Sequence, residues 1–292
     1  MTGPGRTCLV CVLCVAAAIA ARAQTFETLA SFYGTAYPQY VSLAQGADGN
    51  FYGTTAEGGG DLWGTLFEVT AAGELTTLCW FGEDTCYGRF PYSGVIQATD
   101  GDLYGTTWQG GATSALAYGT VYKTPPSVND LTLLYSFCSQ TNCSDGADPF
   151  APLVQAANGN FYGTTFNGGT SGYGTVFAIT SAGTLTTLHS FGCSDGAGPV
   201  AGLIQAKDGN FYGTTLYGGA TGGGAVFEMT AAGTLTTLYS FCSRKNCADG
   251  AHPYAGHVQA TDGNLRDNLR RRSPQPRHGF SNHGRGRADN PV

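Results

Sequence analysis

Asp208-Gly209-Asn210-Phe211-Tyr212-Gly213-Thr214-Thr215 decides how this chain folds, because the chain writes the phrase repeatedly. It stands at Asp48 to Thr55 as DGNFYGTT, at Asp100 to Thr107 as DGDLYGTT and at Asn158 to Thr165 as NGNFYGTT. The starts are 52, 58 and 50 residues apart, and a fifth, Asp262-Gly263-Asn264, follows after 54. A second phrase travels with the first: Gly174-Thr175-Val176-Phe177-Ala178-Ile179-Thr180, then Ser-Ala-Gly, then Thr184 to Phe191, with counterparts beginning at Gly64, Gly119 and Gly224. Self-similarity at a period of this size is the mark of a repeat architecture.

Each unit holds four short runs rich in β-branched and aromatic residues, separated by Gly, Asp and Asn, which is the pattern of strands and turns. In the fourth unit the predicted strands are A, Gly202 to Ala206; B, Asn210 to Thr215; C, Ala225 to Thr230; and D, Thr234 to Phe241. The Asp-Gly between A and B supplies the positive φ of a tight hairpin, and Ala231-Ala232-Gly233 between C and D is as short. Four antiparallel strands per unit predict an all-β fold of β-propeller-like blades, four complete and a fifth truncated. A β-solenoid is the alternative, although its coils are usually shorter and its glycines less tied to hairpins. In strand D, the pleat would send Leu235, Thr237, Tyr239 and Phe241 one way and Leu238 the other. Apolar residues on both sides are expected of a sheet covered on both faces, so most Phe and Tyr residues are expected to pack between blades.

Composition agrees with a folded core: 42% hydrophobic and 12% aromatic residues, with 45 glycines that keep no three-residue period. Disorder and collagen are therefore excluded. A net charge of −6 offers no basic face for nucleic acid.

The phrases DGNFYGTT, a Gly-Gly pair, GTVF and AAGTLTTLYSF resemble the GloVer tandem repeat of bacterial choice-of-anchor proteins, over about residues 27 to 264. The DGN-x-Y-G-T core is more loosely similar to the blade signature of two-component-regulator propellers. The GloVer resemblance implies an exported, surface-associated repeat protein whose relatives end in varied cell-surface anchors, and it brings no catalytic residues with it.

The two ends of the chain differ from its body. Residues 1–23 read as a signal peptide: Arg6, the apolar run Cys8 to Ala20, then Ala21-Arg22-Ala23 before Gln24. Thirteen apolar residues are too few for a bilayer that needs about 20, and Leu13 ahead of Cys14 does not suit lipidation. An extracellular or cell-surface chain starting near Gln24, with no membrane span in its mature part, is expected. Thr25 to Phe32 resembles a leading strand D. The repeat domain occupies 24–264, where 5 basic residues face 18 acidic ones, whereas residues 265–292 hold 7 of the 14 Lys and Arg. Where the pattern demands Tyr-Gly-Thr-Thr, the chain reads Leu265-Arg266-Asp267-Asn268. Codons such as CTA CGG GAC AAC, read one base later, give Tyr-Gly-Thr-Thr. The same construction carried to Val292 gives Gly-Thr-Val-Phe and then Ala-Ala-Gly-Gly-Leu-Thr-Thr-Leu-Tyr, the missing text of a fifth unit. Residues 265–292 are thus expected to be a disordered basic tail produced by a frameshift.

In an exported protein, paired cysteines read as disulfides. Cys79 with Cys86, Cys138 with Cys143 and Cys242 with Cys247 each share one loop between D and the next A, leaving Cys193 alone. Zinc would need partnering His or Cys at ligand spacing, which these pairs lack. Asp145-Gly146, Asp195-Gly196 and Asp249-Gly250 recur in the same loops. Arrayed carboxylates can offer oxygens to Ca²⁺, but a turn whose Asp caps backbone amides explains the recurrence without a metal, and no other cofactor is implied. The long B to C and D to A loops fall at one end of the blades, where a rigid scaffold presents function. Trp63, Trp108, Tyr118, Phe166, Tyr173 and Tyr217 in the B to C loops are the candidate ligand-binding residues, for carbohydrate or a surface protein, against the plainer reading that they anchor the loops. No recurring Ser, Asp and His arrangement marks a nucleophile. The reading is a binding or adhesion module, with a propeller-type extracellular hydrolase or lactonase as the alternative and a sensor input domain as a third possibility.

Overall fold

The structure is a computed structural model, which describes residues 28, 31, 42–82, 86–111, 118–126, 131–254, 256–259 and 265–267. The expected signal segment, and the tail beyond Asp267, lie outside them. Each complete unit folds into one sheet of four antiparallel strands in chain order. Blade one is β1 (Ala44–Gln45), β2 (Phe51–Thr55), β3 (Thr65–Val69) and β4 (Leu75–Trp80). Blade two is β5 (Ile96–Gln97), β6 (Leu103–Thr107), β7 (Thr120–Thr124) and β8 (Thr132–Ser136). Blade three is β9 (Val154–Gln155), β10 (Phe161–Thr165), β11 (Thr175–Ile179) and β12 (Leu185–Ser190). Blade four is β13 (Ile204–Gln205), β14 (Phe211–Thr215), β15 (Ala225–Met229) and β16 (Leu235–Ser240). Beyond it, β17 (His257–Gln259) pairs with β18 (Leu265–Asp267), so the first three residues of the stretch expected as tail continue the fifth unit as its second strand.

Each residue of the repeated phrase has a physical task. The Asp that opens it caps the turn and receives the Tyr four residues on: Asp48 Oδ1 accepts from the Asn50 amide at 3.0 Å, and Tyr52 donates its hydroxyl to Asp48 at 2.5 Å. Tyr104 with Asp100 at 2.7 Å and Tyr212 with Asp208 at 2.9 Å repeat the bond. In blade three the acceptor and donor exchange, Asn158 Nδ2 donating to Tyr162 at 2.9 Å. The Tyr52 hydroxyl and the Asn50 amide hold Asp48 below the usual carboxylate range. For Asp208 the Asn210 amide leads, followed by Tyr212.

The Phe of each B strand, Leu103 in blade two, and the Tyr that follows point to opposite faces, and blades stack through them. Tyr104 lies on Phe161 and Tyr162 on Phe211, each pair with centroids 4.0 Å apart. The Gly that follows sits opposite the strand C aromatic: a Cβ on Gly163 would lie 2.6 Å from Phe177 and 2.9 Å from Leu153, so only hydrogen fits. In blades one and two the first Thr reaches the next blade, Thr54 donating to the Ser93 carbonyl at 2.9 Å and Thr106 to that of Ala151 at 3.3 Å, whereas the Thr164 and Thr214 hydroxyls are buried without a hydrogen-bond partner. The second pairs within the blade. Thr165 donates to the Asn167 carbonyl at 2.8 Å and so accepts from Thr175, also at 2.8 Å. The phrase is the inter-blade interface written in eight residues, and it yields three buried apolar clusters, one in each gap between consecutive blades.

Two expectations are corrected. Strand A pairs over two residues, not the five from Gly202 to Ala206; in blades two and three the carbonyls just ahead of it, of Ser93 and Ala151, accept instead from threonine hydroxyls of the preceding blade. Strand D carries a β-bulge. Phe227 opposes Thr237 and Val226 opposes Tyr239, so Leu238 is the extra residue and Thr237 and Tyr239 face opposite sides. A bulge opposes two residues to one and resets the alternation, and the same break occurs in all four blades. Strand D of blade four is also not covered on both faces, with Leu238 48% exposed.

Candidate binding face at the long-loop end

The long loops form one connected rim. After each strand D the chain runs beside the B to C loop of the next blade, with backbone bridges Arg89 to Gln109, Ala147 to Asn167 and Ala197 to Tyr217. The following residue, Phe90, Asp148 or Gly198, takes positive φ and joins two blades through its backbone. Asp148 donates its amide to the Tyr118 carbonyl at 2.7 Å and accepts from the Phe166 amide at 3.0 Å. Phe90 does this between Trp63 and Trp108, and Gly198 between Tyr173 and Leu216. His252 makes the first of these bonds, to the Gly223 carbonyl at 2.7 Å, and also has φ 55°.

The D to A loops are held by covalent and ionic means together. Disulfides join Cys79 to Cys86, Cys138 to Cys143 and Cys242 to Cys247, and Cys193 is free and exposed. Asp145 is fully buried and accepts from the Ser139 amide and hydroxyl at 2.9 Å each and from Tyr135 at 2.8 Å. Asp249 repeats this with Ser243 and Tyr239, and the Ser243 hydroxyl, ahead of Tyr239, holds its carboxyl well below the usual range. In blade three, where the disulfide is missing, His189 Nε2 stands 2.8 Å from Asp195 in place of the tyrosine. The recurring Asp-Gly carboxylates are therefore occupied by protein donors. Among the described residues, no group of three or more His, Cys, Asp or Glu is placed to hold a metal ion.

The candidate rings are spread blade by blade along this rim. Trp63 is half-buried, with its ring against Gly82 and the Arg89 guanidinium carbon 3.6 Å above it, a cation–π contact. Phe166 is half-buried against Gly198, where a Cβ would come within 2.8 Å of the ring. Tyr118, Tyr173 and Tyr217 are exposed, and Tyr217 meets His252 edge-on at 5.3 Å. Trp108 enters a cluster. Its ring meets Tyr92 edge-on at 5.4 Å and Phe90 at 6.3 Å, while Tyr92 stacks on Phe150 at 5.1 Å. All four rings are half-buried and span the loops of blades two and three. Beside them Asp148, bonded to Asn167 Nδ2 at 2.8 Å, has its carboxyl raised by burial.

Residues 17–155 and 114–266 match the Gloeobacter/Verrucomicrobia repeat, in two overlapping copies that together span most of the chain. The chain belongs to the Gloeobacter/Verrucomicrobia repeat family. No curated protein matches it. Among solved structures it is similar to a virginiamycin B lyase from Staphylococcus aureus, at 12% identity and a TM-score of 0.49, over 77% of this chain and 68% of that one. It is also similar to a periplasmic gluconolactonase from Pseudomonas aeruginosa, at 18% identity and a TM-score of 0.48, over 79% of this chain and 65% of the other. For a gluconolactonase from Xanthomonas campestris the figures are 17% and 0.44, over 67% and 60%.

In this repeat-family member, sequence reading missed Phe90, Tyr92 and Phe150 because it searched the B to C loops alone. The available signal was the pair Pro91-Tyr92, Pro149-Phe150 and Pro253-Tyr254 just before three of the strands A, with Pro199-Val200 before that of blade four. Tyr92 and Phe150, placed there after a proline, meet across the blade boundary.

Proposed function

We propose that this protein is an exported binding or adhesion module whose working surface is the long-loop end of blades two and three, and that its ligand is carbohydrate. The observation that carries the reading is the cluster of Phe90, Tyr92, Trp108 and Phe150, four half-exposed rings in mutual contact on loops fixed by backbone bonds. Rings of this kind offer flat apolar faces to the axial hydrogens of a pyranose, and aromatic clusters on a rigid rim are the surfaces from which binding hot spots are drawn. The three disulfides support a place outside the reducing cytosol. Titration of the full chain with cellohexaose and chitohexaose tests it. Trp108→Ala and Tyr92→Ala are expected to weaken binding by about tenfold, the equivalent of about 1.4 kcal/mol, with Tyr173→Ala as a control of little effect. Failure of both sugars to bind, or loss that is equal in the control, refutes the carbohydrate reading.

The alternative, an extracellular hydrolase or lactonase, has one supporting feature in Asp148. Its raised carboxyl and its place beside the cluster are what a general acid requires. A lactone and ester screen with divalent cations separates the two readings: it is silent for a binding module and active, with loss in Asp148→Asn, for an enzyme.

A further inference from the structure

Consecutive blades meet through one repeated contact, and on blade four that contact is open. The face each blade turns to the next carries the strand B tyrosine, an aliphatic residue on C and a leucine on D. Tyr52, Tyr104 and Tyr162 are buried there, as are Leu66, Val121 and Val176. Leu78 is buried as well, while Leu134 and Leu188 are half-buried. On blade four Tyr212 and Val226 are only half-buried, and Leu238 and Tyr239 are 48% and 39% exposed. What covers these positions elsewhere includes the C to D turn of the following blade. A Cβ on Gly183 would lie 2.6 Å from the Leu134 carbonyl oxygen, and one on Gly233 would lie 2.7 Å from that of Leu188. The turn glycines of blades three and four thus sit on the strand D leucine of the blade before. The next seat in the series is Leu238, and among the described residues the fifth unit, β17 with β18, supplies strands A and B alone.

The sequence states what belongs in that seat. With codons chosen within the degeneracy of the code, residues 265–292 can be read one base out of frame as Tyr-Gly-Thr-Thr, Gly-Thr-Val-Phe and Ala-Ala-Gly-Gly-Leu-Thr-Thr-Leu-Tyr, the text of strands B, C and D with the turn glycine between C and D. We infer that the exposed face of blade four is the seat of the C and D strands of a fifth blade, encoded one base out of frame in the gene for this chain. A side-chain face that is covered in three copies and left half-exposed in the fourth is the geometry of an interface lacking part of its partner.

Two measurements test this. The first sequences the source gene from the codon of Gly263 onward, a readout that does not depend on folding. The expected result is a leucine codon ending in A at position 265, with third bases that yield the three phrases. Codons that cannot be read so overturn the inference. The second compares this full chain with the chain in the restored frame by hydroxyl-radical footprinting. Labelling of Leu238 and Tyr239 is expected to fall to the level of Leu188 and His189 in the restored chain, while Tyr217 on the loop face is unchanged. Unchanged labelling of Leu238 and Tyr239 overturns the seat. So does protection of both residues in this chain through a concentration-dependent dimer, because a second copy is then the occupant.

Discussion

Gly163 offers a test in which the sign of an effect, and not only its size, follows from the structure. It lies in β10 with ordinary extended backbone, so replacing it by alanine should stabilise the strand by about 0.5–1 kcal/mol if nothing stood in the way. The obstacle is the Phe177 ring, whose Cζ would stand 2.6 Å from the new Cβ, with Leu153 Cδ2 at 2.9 Å. Phe177 is fully buried and packed against Phe137 at 5.1 Å, so the ring has nowhere to retreat. Gly163→Ala is therefore expected to destabilise by about 1–3 kcal/mol, the cost of forcing a well-packed core apart. Phe177→Leu removes the Cε and Cζ atoms that create the clash and costs about 1–1.5 kcal/mol by itself. In that background Gly163→Ala is expected to be neutral or stabilising, giving a coupling of about 1–3 kcal/mol in the double-mutant cycle. Urea unfolding followed by tryptophan fluorescence and circular dichroism supplies the four free energies, provided both probes give coincident transitions and a common m value. Additivity within about 0.5 kcal/mol refutes the claim that ring approach dictates glycine in the repeated phrase.

Tyr122 holds the position of Phe67, Phe177 and Phe227 in the other blades, and its hydroxyl is buried with no hydrogen-bond partner. Tyr122→Phe is expected to stabilise by about 1 kcal/mol, because an unpaired buried hydroxyl carries a desolvation cost that the phenyl ring avoids; a lower denaturation midpoint contradicts this. Cys138→Ser with Cys143→Ser opens a loop of sequence separation 5. Loop-closure entropy gives a loss of about 2 kcal/mol, seen as a lower calorimetric midpoint, and an unchanged midpoint shows that Asp145 alone fixes the loop. Asp148→Asn carries a pH signature. The native carboxyl is raised, so its ionised form opposes folding once pH exceeds the native value, and protonation below the unfolded value removes that opposition. The variant, which keeps an acceptor for Asn167, is expected to be more stable than the parent at pH 7 and to lose that advantage at pH 3. An advantage independent of pH refutes the assignment.

Most of the blade was legible because its determinants are local. Asp48, Asn50 and Tyr52 bond to one another within five residues, so the turn and the strand that follows can be read together. Alternation along strand D was not legible beyond Thr237, because the bulge between Val226 and Phe227 depends on how two strands meet and leaves no mark in strand D alone. The six loop aromatics lie between strands B and C, but their grouping was hidden. Trp108 is brought to Tyr92 by the backbone bond from its amide to the Phe90 carbonyl, a contact between two loops that no spacing within either one announces.

That same bond explains where variation is tolerated. The bond common to all the joints uses the joining residue's backbone and a positive φ, while side-chain contacts differ from joint to joint, Asp148 with Asn167 Nδ2 and His252 Nδ1 with the Leu216 carbonyl. Phe90, Asp148, Gly198 and His252, with φ between 55° and 59°, therefore occupy equivalent places although they share no chemistry. The positive φ costs a non-glycine residue on the order of 1 kcal/mol, and the two inter-blade hydrogen bonds, at about 0.5–1.5 kcal/mol each, offset it. Each blade boundary thus presents one outward side chain whose identity the scaffold does not constrain, next to a strand B threonine pair that it constrains fully. An array built this way can change what its rim offers, ring, carboxylate, bare backbone or imidazole, without altering the contacts that hold one blade to the next. For this reason the rim, and not the repeated phrase, is where a ligand specific to this chain must be sought.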